Sequence, residues 1–283
     1  MTTIGAVLLG LVQGLTEFLP VSSSAHLAAM KALLHVKSPG VVVEVALHVG
    51  TLLAILLVFR RELWEVARDG LVGSWVYLKG LGWAAAMEAA PRLPTAAAIV
   101  VGSVPAGFAG LLFRHQVERA FGSIVACGAF LMATGLFLLS SRLAPAKKAD
   151  RMGVGRGFVV GIAQAVALLP GISRSGATIV TGCWLGVDRA AAGRFSFLLA
   201  VPAMAGAAVI ELLEELRSGL AMPGGKDSLI QVGALAAGTL VAAVVGTLCL
   251  IFLLRVVERG RLHWFAAYCL PAGAVMLAAG LLR

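Results

Sequence analysis

The chain has 283 residues, of which 60% are hydrophobic and only 13% are charged. Soluble domains are about 45–50% apolar and about 25% charged, so this composition excludes a soluble globular enzyme, a disordered protein and a disulfide-stapled secreted module. The net charge of +9 does not indicate nucleic-acid binding, because the basic residues form short clusters between apolar runs. The remaining class is a polytopic helical membrane protein.

Uninterrupted apolar stretches predict the membrane spans. About 20 apolar residues cross the roughly 30 Å of hydrocarbon in a bilayer. The stretches that meet or nearly meet this length are Val42–Phe59, Thr95–Phe113, Phe121–Ser141, Phe195–Leu213, Leu229–Leu254 and Trp264–Leu282.

Two further apolar regions are interrupted in the middle. Ile4–Leu34 is split at Leu19-Pro20, and Val154–Leu185 is split at Leu169-Pro170-Gly171. Each predicts two half-helices that meet at a polar turn. Irregular backbone at membrane depth is tolerated only where it is buried in protein or lines a wet cavity. We therefore expect the functional centre at these two breaks.

The two breaks are related in sequence. Gly10–His26 aligns with Gly161–Thr178, so that Gln13 matches Gln164 and, after a one-residue gap, Pro20 matches Pro170. The alignment predicts one all-α membrane domain over residues 1–283, with repeats at about 1–141 and 154–283 and a cytoplasmic linker at about 142–153. Each repeat would hold one re-entrant helical hairpin and three transmembrane helices. An odd number of crossings inserts the second copy upside down, as an inverted repeat.

The basic residues predict the orientation. The predicted topology places most of the Lys and Arg residues on one face, which the positive-inside rule assigns to the cytoplasm, with both termini outside. The segment Arg60–Pro94 contains Trp64, Trp75 and Trp83 and is interpreted as amphipathic helix along the cytoplasmic interface.

Polar and ionisable residues cluster at the first break: Gln13, Glu17, Ser22, Ser23, Ser24 and His26. Gln13 and Glu17 are four residues apart and share one helix face. A carboxylate at bilayer depth costs at least ~2.5 kcal/mol, which favours a functional role. The alternative is that the serines only satisfy backbone groups freed at a kink. Glu44 and His48, one turn apart in the first span, are either partners of this centre or a self-satisfied pair.

The second break combines glycines, hydroxyls and an arginine: Gly171, Ser173, Arg174, Ser175, Gly176 and Thr178. Glycines allow close backbone approach to a ligand. A helix that begins near Ser173, beside Arg174, is typical of a phosphate site. The alternative for Arg174 is a structural ion pair with Glu17, which is compatible with phosphate binding. Together the two breaks favour phosphoryl transfer; a secondary transporter or lipid flippase is the alternative, since paired broken helices also occur there.

The segments QGLTEFLPVSSSAH (Gln13–His26) and PGISRSGAT (Pro170–Thr178) resemble the two motifs of the undecaprenyl-diphosphate phosphatases, the bacterial membrane proteins associated with bacitracin resistance. The resemblance covers nearly the whole chain, including Phe195–Pro202. It implies hydrolysis of the C55 isoprenoid diphosphate to the monophosphate and inorganic phosphate, which recycles the carrier lipid for peptidoglycan synthesis. It also implies a divalent cation (Mg²⁺ or Ca²⁺), a bacterial inner-membrane location, an active site open to the periplasmic face, and a homodimer.

The resemblance also assigns roles to residues. Glu17 is the essential carboxylate, as metal ligand or proton carrier, Ser23 and His26 are candidates for nucleophile and base, and Arg174 is the diphosphate clamp. Many family members have glutamate at the position of Gln13, so the metal here is expected on Glu17 together with the substrate phosphates. Whether Ser23, His26 or water attacks phosphorus stays open. The substrate-binding set implied around these residues is Gln13, Ser22, Ser24, Gly171, Ser173, Ser175, Gly176 and Thr178.

Overall fold

The computed structural model describes residues 2–33, 40–145, 149–217 and 226–282. Leu34, at the end of the first broken region, and residues 146–148 of the predicted linker lie outside these ranges. Within them the chain is helical and forms no strand, apart from an isolated bridge between Ala149 and Val187. The all-α prediction is therefore confirmed. The α-helices are α1 (Thr3–Phe18), α2 (Ser23–Leu33), α3 (Gly40–Val58), α4 (Arg60–Val76), α5 (Gly82–Ala89), α6 (Leu93–Leu112), α7 (Arg114–Phe121), α8 (Ile124–Ser140), α9 (Val154–Val166), α10 (Arg174–Trp184), α11 (Arg189–Arg217), α12 (Lys226–Glu258) and α13 (Ala266–Leu281).

The long apolar helices match the predicted spans. Among the described residues, five helical segments are long and apolar enough to cross a membrane, or six if Val42–Val58 is counted with Arg60–Ala89, to which it is bent by 79°. The prediction that one span begins at Phe121 is wrong, because Phe121 ends the polar helix α7. The span begins at Ile124 instead, where the Ser123 hydroxyl caps α8 by accepting a hydrogen bond from the Ala126 N–H at 3.1 Å.

Large apolar side chains cover the outside of the long helices. Phe108, Leu248 and Val275 are 65%, 64% and 68% exposed, respectively. A soluble monomer rarely exposes extensive apolar surface, whereas a bilayer provides an apolar environment for it. This distribution, with the long apolar helices, identifies a multi-pass membrane protein.

The interrupted helices pack on long ones through glycine contacts. The short helix α1 lies along α12, with Gly10 against the backbone of Gly238, and α9 lies along α6, with Gly161 against the backbone of Gly102. A Cβ atom at Gly10 or Gly161 would collide with the opposite backbone. Small residues of this kind let transmembrane helices approach closely. These two contacts hold the half-helices in place and so set the positions of both breaks.

An aromatic cluster links α1 to α3 and α11. The fully buried rings of Phe18 and Phe197 meet edge to face with centroids 5.8 Å apart. Phe59, the residue after α3, stacks on Phe197 at 6.1 Å. Aromatic pairs of this kind add about 0.5–1.5 kcal/mol beyond area burial. The packing of Phe18 on Phe197 thereby fixes the last turn of α1, which contains Glu17.

The predicted interfacial segment Arg60–Pro94 is largely helical. It consists of α4, a π-helical turn over Tyr77–Leu81 and α5. Gly80 and Gly82 have φ angles of 80° and 81°, which only glycine adopts easily. Trp64 and Trp75 are exposed. The location of this segment along the cytoplasmic interface remains a prediction.

Candidate active site

The two breaks meet in space. The first lies between Phe18 and Ser23, and the second lies between Val166 and Arg174. The N–H of Gly171 donates a hydrogen bond to Oγ of Ser22 at 3.1 Å, across 149 residues of sequence. The second break is longer than predicted, because α9 ends at Val166 rather than at Leu169. The predicted start of α10 beside Ser173 is confirmed, since Ser173 is its N-cap.

A buried ion pair joins the breaks. Nη2 of Arg174 donates to Oε1 of Glu17 at 2.7 Å, and the two side chains are 15% and 7% exposed. The pairing of these residues, which the sequence left as an alternative for Arg174, is therefore present. The other terminal nitrogen, Nη1, is buried and has no hydrogen-bond partner among the described residues. The guanidinium thus keeps unused donors for an anion.

The second carboxylate oxygen of Glu17 organises three further side chains. Oε2 accepts hydrogen bonds from Oγ of Ser23 at 2.7 Å and from Nε2 of Gln13 at 3.0 Å. Nε2 of His48 lies 3.8 Å from the same oxygen, so His48 is a neighbour of the centre. Gln13 also donates to Oγ1 of Thr51 at 3.4 Å. Ser23 is consequently placed for proton transfer to a carboxylate.

Ser22 adopts an unusual backbone conformation. Its φ of 65° is in the left-handed region, which is uncommon for residues other than glycine. Its carbonyl oxygen lies 2.8 Å from Nδ1 of His26, and its hydroxyl lies 3.0 Å from Oγ of Ser24. Ser22 therefore connects the N-terminus of α2 to the second break.

The predicted dyad of Ser23 and His26 is not formed. Ser23 bonds to Glu17, whereas the two ring nitrogens of His26 face the Ser22 carbonyl and the hydroxyl of Tyr268. His26, three residues after Ser23, could have supplied the base. Its Nδ1 instead lies against the Ser22 carbonyl, in the same i, i+4 contact that His48 makes with the Glu44 carbonyl.

The loop before α10 is fixed by α8. Oγ1 of Thr134 donates to the carbonyl of Gly171 at 2.9 Å and accepts from the N–H of Ser173 at 3.1 Å. Gly171 has a φ of 100° and packs against the Cys127 backbone, so its close approach is to α8 rather than to a ligand. Gly176 approaches Pro20, to which an added Cβ would lie 3.2 Å away. The two glycines thus allow the breaks to pack.

The remaining hydroxyls of the second break support α10. Oγ of Ser173 accepts from the N–H of Gly176 at 3.2 Å and lies 3.2 Å from Oγ of Ser175. Oγ1 of Thr178 donates to the carbonyl of Arg174 at 2.8 Å and lies 2.5 Å from Oγ of Ser196. Ser175 and Thr178 are both buried. Their observed contacts are with the protein, and they hold the helix that carries Arg174.

Sequence reasoning did not single out several residues of this centre: Thr51, Thr134, Ser196, Met204 and Tyr268. Met204 places its sulfur 3.7 Å from Nη2 of Arg174. Each is a single residue in an apolar span, without a local pattern that separates it from ordinary helix packing. Polarity within a predicted span was the only available signal, and it applies to four of the five.

A metal ion would find few ligands here. Among the described residues, no group of three or more His, Cys, Asp or Glu side chains is arranged to hold one. The centre does offer the Glu17 carboxylate and a buried Oε1 of Gln13 without a hydrogen-bond partner. One carboxylate with one amide oxygen suits a hard cation such as Mg²⁺ only if substrate phosphates complete its coordination. The residues fit a substrate-bridged cation.

The fold and the centre define a class of protein. At the two interrupted helices, the buried Arg174 lies beside Glu17, and the Glu17 carboxylate accepts a hydrogen bond from the Ser23 hydroxyl. Nη1 of Arg174 has no hydrogen-bond partner among the described residues. The N-termini of α2 and α10, which carry partial positive charge, begin within the same centre. This is a multi-pass membrane protein with a buried site suited to phosphate groups.

Comparison with known proteins agrees with this class. Residues 6–275 match the family model described as bacitracin resistance protein BacA. A protein of Desulforapulum autotrophicum named undecaprenyl-diphosphatase is 41% identical over 278 residues, covering 97% of both chains. Proteins of the same name from Desulfosudis oleivorans and Thermomicrobium roseum are 43% identical (99% of this chain, 100% of the relative) and 40% identical (96% of each). The chain belongs to the BacA family.

Proposed function

We propose that this protein hydrolyses undecaprenyl diphosphate to undecaprenyl phosphate and inorganic phosphate, which recycles the carrier lipid for peptidoglycan synthesis and confers bacitracin resistance. The observation that carries the proposal is the buried Nη1 of Arg174, which has no hydrogen-bond partner in the part of the chain that the structure describes, although Nη2 is fixed by Glu17. The names of the full-length relatives favour this activity over the alternative of a transporter or flippase.

The terminal phosphate binds where the two breaks meet. Arg174 donates to it through Nη1, and charge-assisted bonds between guanidinium and phosphate are among the strong hydrogen bonds of proteins. The first turns of α2 and α10 add backbone N–H groups that lack helical partners. Glu17 holds the guanidinium in place, so little ordering remains when the substrate arrives.

Ser23 attacks the terminal phosphorus. Its proton passes to Glu17, to which it already donates at 2.7 Å, and the P–O bond to undecaprenyl phosphate breaks as the new O–P bond forms. Water then attacks the phosphoserine and gives a proton to His26, while the departing Ser23 oxygen takes back the proton held by Glu17. Inorganic phosphate is released, Ser23 and Glu17 are restored, and His26 returns its proton to the solvent. Gln13 contributes by fixing Glu17 through its 3.0 Å hydrogen bond.

A divalent cation, Mg²⁺ or Ca²⁺, would be held by Glu17 and by Oε1 of Gln13 together with the substrate phosphates. When bound, it supplies positive charge to the developing negative charge of the phosphoryl group. Its test is a chelator titration. Activity that is lost on chelation and restored by Mg²⁺ or Ca²⁺ supports the cation, and activity unchanged by chelation overturns it.

The architecture is proposed to be an inverted repeat with two re-entrant hairpins, α1–α2 and α9–α10. Gly10 and Gly161 occupy aligned positions of the two repeats, and each packs against a glycine of a long helix in the other repeat, Gly238 or Gly102. In both cases the short helix of one repeat packs on a long helix of the other repeat, which supports the pseudo-twofold relation.

We propose that the protein is oriented in the bacterial inner membrane so that the site opens to the periplasmic face. An impermeant maleimide should label Gln116→Cys in intact cells, and Leu143→Cys only after permeabilisation, with the four native cysteines replaced. The reverse labelling pattern would overturn the orientation. The homodimer rests on the family resemblance, and light scattering of the protein in detergent tests it.

A proteoliposome assay separates hydrolysis from transport. We expect the purified protein to liberate phosphate from undecaprenyl diphosphate. The Ser23→Ala variant should lose turnover by at least about 100-fold. The control Ser103→Ala, whose hydroxyl donates to the Ile99 carbonyl within α6, should keep it within a fewfold. Transfer of intact diphosphate lipid across the bilayer without phosphate release would support the transporter instead. Near-normal turnover by Ser23→Ala would exclude this serine as the attacking group.

A further inference from the structure

Tyr268 on α13 lies against His26 on α2, 242 residues away in sequence. Its hydroxyl is 2.5 Å from Nε2 of His26, and the two rings stack with centroids 5.6 Å apart and planes 22° apart. In the sequence Tyr268 is one aromatic residue within the apolar span Trp264–Leu282. The structure places its hydroxyl within hydrogen-bonding distance of Nε2 of His26.

The other nitrogen of His26 determines how this contact works. Nδ1 lies 2.8 Å from the carbonyl oxygen of Ser22. A carbonyl only accepts, so Nδ1 carries a proton in this arrangement. In the neutral ring Nε2 is then the acceptor, and the Tyr268 hydroxyl donates to it. One tautomer and one ring orientation of His26 are thereby selected.

The contact with Tyr268 involves the nitrogen of His26 that takes part in the proposed reaction. Nε2 is the nitrogen of His26 that can take up a proton from water. In the neutral ring the single lone pair of Nε2 accepts from the Tyr268 O–H, so this O–H rotates aside as Nε2 takes up the proton. The phenol oxygen can then accept from the new Nε2–H, so Tyr268 bonds Nε2 before and after the transfer. His26 is half-buried and Tyr268 is 47% exposed, which leaves the pair accessible to water and substrate.

The neighbouring residue fixes α13 to the same break. Sγ of Cys269 donates to the carbonyl of Pro20 at 3.3 Å in a buried contact. Two consecutive residues of α13 therefore hold the first break, one at Pro20 and one at His26. The packing of α13 on the first break therefore helps to fix the position of the Tyr268 phenol relative to the His26 imidazole.

We infer that Tyr268 is a positioning residue for His26, which sets the tautomer and orientation of the imidazole through its hydroxyl. The inference rests on the proposed function in one respect, the use of His26 as proton acceptor. It assigns Tyr268 no contact with the reacting phosphorus and no role in binding the diphosphate.

The test is Tyr268→Phe, which keeps the stacked ring and removes only the hydroxyl. A neutral hydrogen bond contributes about 0.5–1.5 kcal/mol, which corresponds to roughly a two- to tenfold change in rate. We expect kcat for phosphate release to fall by about that factor while KM stays within twofold, because Arg174 is untouched. The matched control is Tyr77→Phe at the only other tyrosine, which is exposed in the π-helical turn after α4.

A double-variant comparison separates positioning from general destabilisation. In a His26→Ala background, Tyr268→Phe should leave the residual kcat unchanged, because the group it positions is gone. An equal fall in both backgrounds, or an unchanged kcat in Tyr268→Phe alone, would overturn the inference.

A second measurement does not depend on activity. In protein with ¹⁵N-labelled histidines, the His26 ring should show a protonated Nδ1 and an Nε2 resonance that moves in Tyr268→Phe but not in Tyr77→Phe. An Nε2 resonance unaffected by Tyr268→Phe would contradict the contact. If the wild-type protein released no phosphate while this shift was present, the proposed function would fail and the positioning of His26 would stand.

Discussion

Glu17 and Arg174 are 157 residues apart in the chain, and their side chains meet at 2.7 Å in a buried ion pair. The contact connects the two interrupted helices, and Nη1 of the guanidinium has no hydrogen-bond partner within residues 2–33, 40–145, 149–217 and 226–282. The ion pair therefore does not use all the hydrogen-bond donors of the guanidinium.

Loss of the Glu17 charge should destabilise the protein strongly. Removing one partner of a buried pair costs about 3–5 kcal/mol, because the other charge remains uncompensated. We expect Glu17→Gln to lower the free energy of unfolding by that order, and the double variant Glu17→Gln/Arg174→Gln to recover part of the loss. Unfolding in detergent, followed by circular dichroism, measures both.

The matched control for this prediction is Glu65→Gln. Glu65 accepts from Arg92 at 2.6 Å, but both side chains are substantially exposed. Exposed pairs contribute about 0–1 kcal/mol. Equal effects of Glu17→Gln and Glu65→Gln would contradict a special energetic role for the buried pair.

Ser22 should tolerate glycine better than alanine. Its φ of 65° costs a residue with a side chain about 1–2 kcal/mol, and glycine avoids this cost. Both variants lose the hydroxyl that accepts from Gly171. We therefore expect Ser22→Gly to be more stable than Ser22→Ala by about 1 kcal/mol, with both less active than wild type. A more stable Ser22→Ala would show that the left-handed conformation is not maintained.

Thr134 should affect activity from outside the breaks. In Thr134→Val the carbonyl of Gly171 and the N–H of Ser173 lose their shared partner, and a buried unsatisfied group costs about 1–3 kcal/mol. We expect reduced stability together with a fall in kcat/KM of about tenfold or more. Thr134→Ser keeps the hydroxyl and should remain near wild type. Equal stability and activity of Thr134→Val and Thr134→Ser would contradict a role of the Thr134 hydroxyl in fixing this loop.

The glycine contacts between helices should be intolerant of a methyl group. A Cβ at Gly102 would lie 2.7 Å from the carbonyl oxygen of Gly157, whereas one at Gly107, on the same helix, meets nothing within 4 Å. Gly102→Ala should destabilise by about 1–3 kcal/mol or more. Gly107→Ala should be neutral or stabilising by up to about 1 kcal/mol, since alanine favours helix. Similar thermal midpoints for the two variants would argue against the close packing of α6 on α9.

Sequence reasoning located both breaks because proline and polar residues inside apolar runs are locally recognisable. It also identified Glu17 and Arg174, since ionisable residues are rare at membrane depth. The resemblance offered Ser23 and His26 as nucleophile and base candidates. It contains no information on the hydrogen bonds that join Ser23 to Glu17 and His26 to Ser22 and Tyr268. Thr134 and Tyr268 could not be found, because their importance arises only when α8 and α13 pack against the breaks.

Phosphate release from undecaprenyl diphosphate by wild type and Arg174→Ala tests the central claim most directly. The purified proteins are compared in detergent with Mg²⁺, and folding is verified by circular dichroism. We predict that wild type liberates one inorganic phosphate per lipid and leaves undecaprenyl phosphate. Arg174→Ala should be slower by at least about 100-fold, since it loses a charge-assisted contact of the transition state. Diphosphate lipid recovered intact from wild type, or equal rates for the two proteins, would contradict the claim.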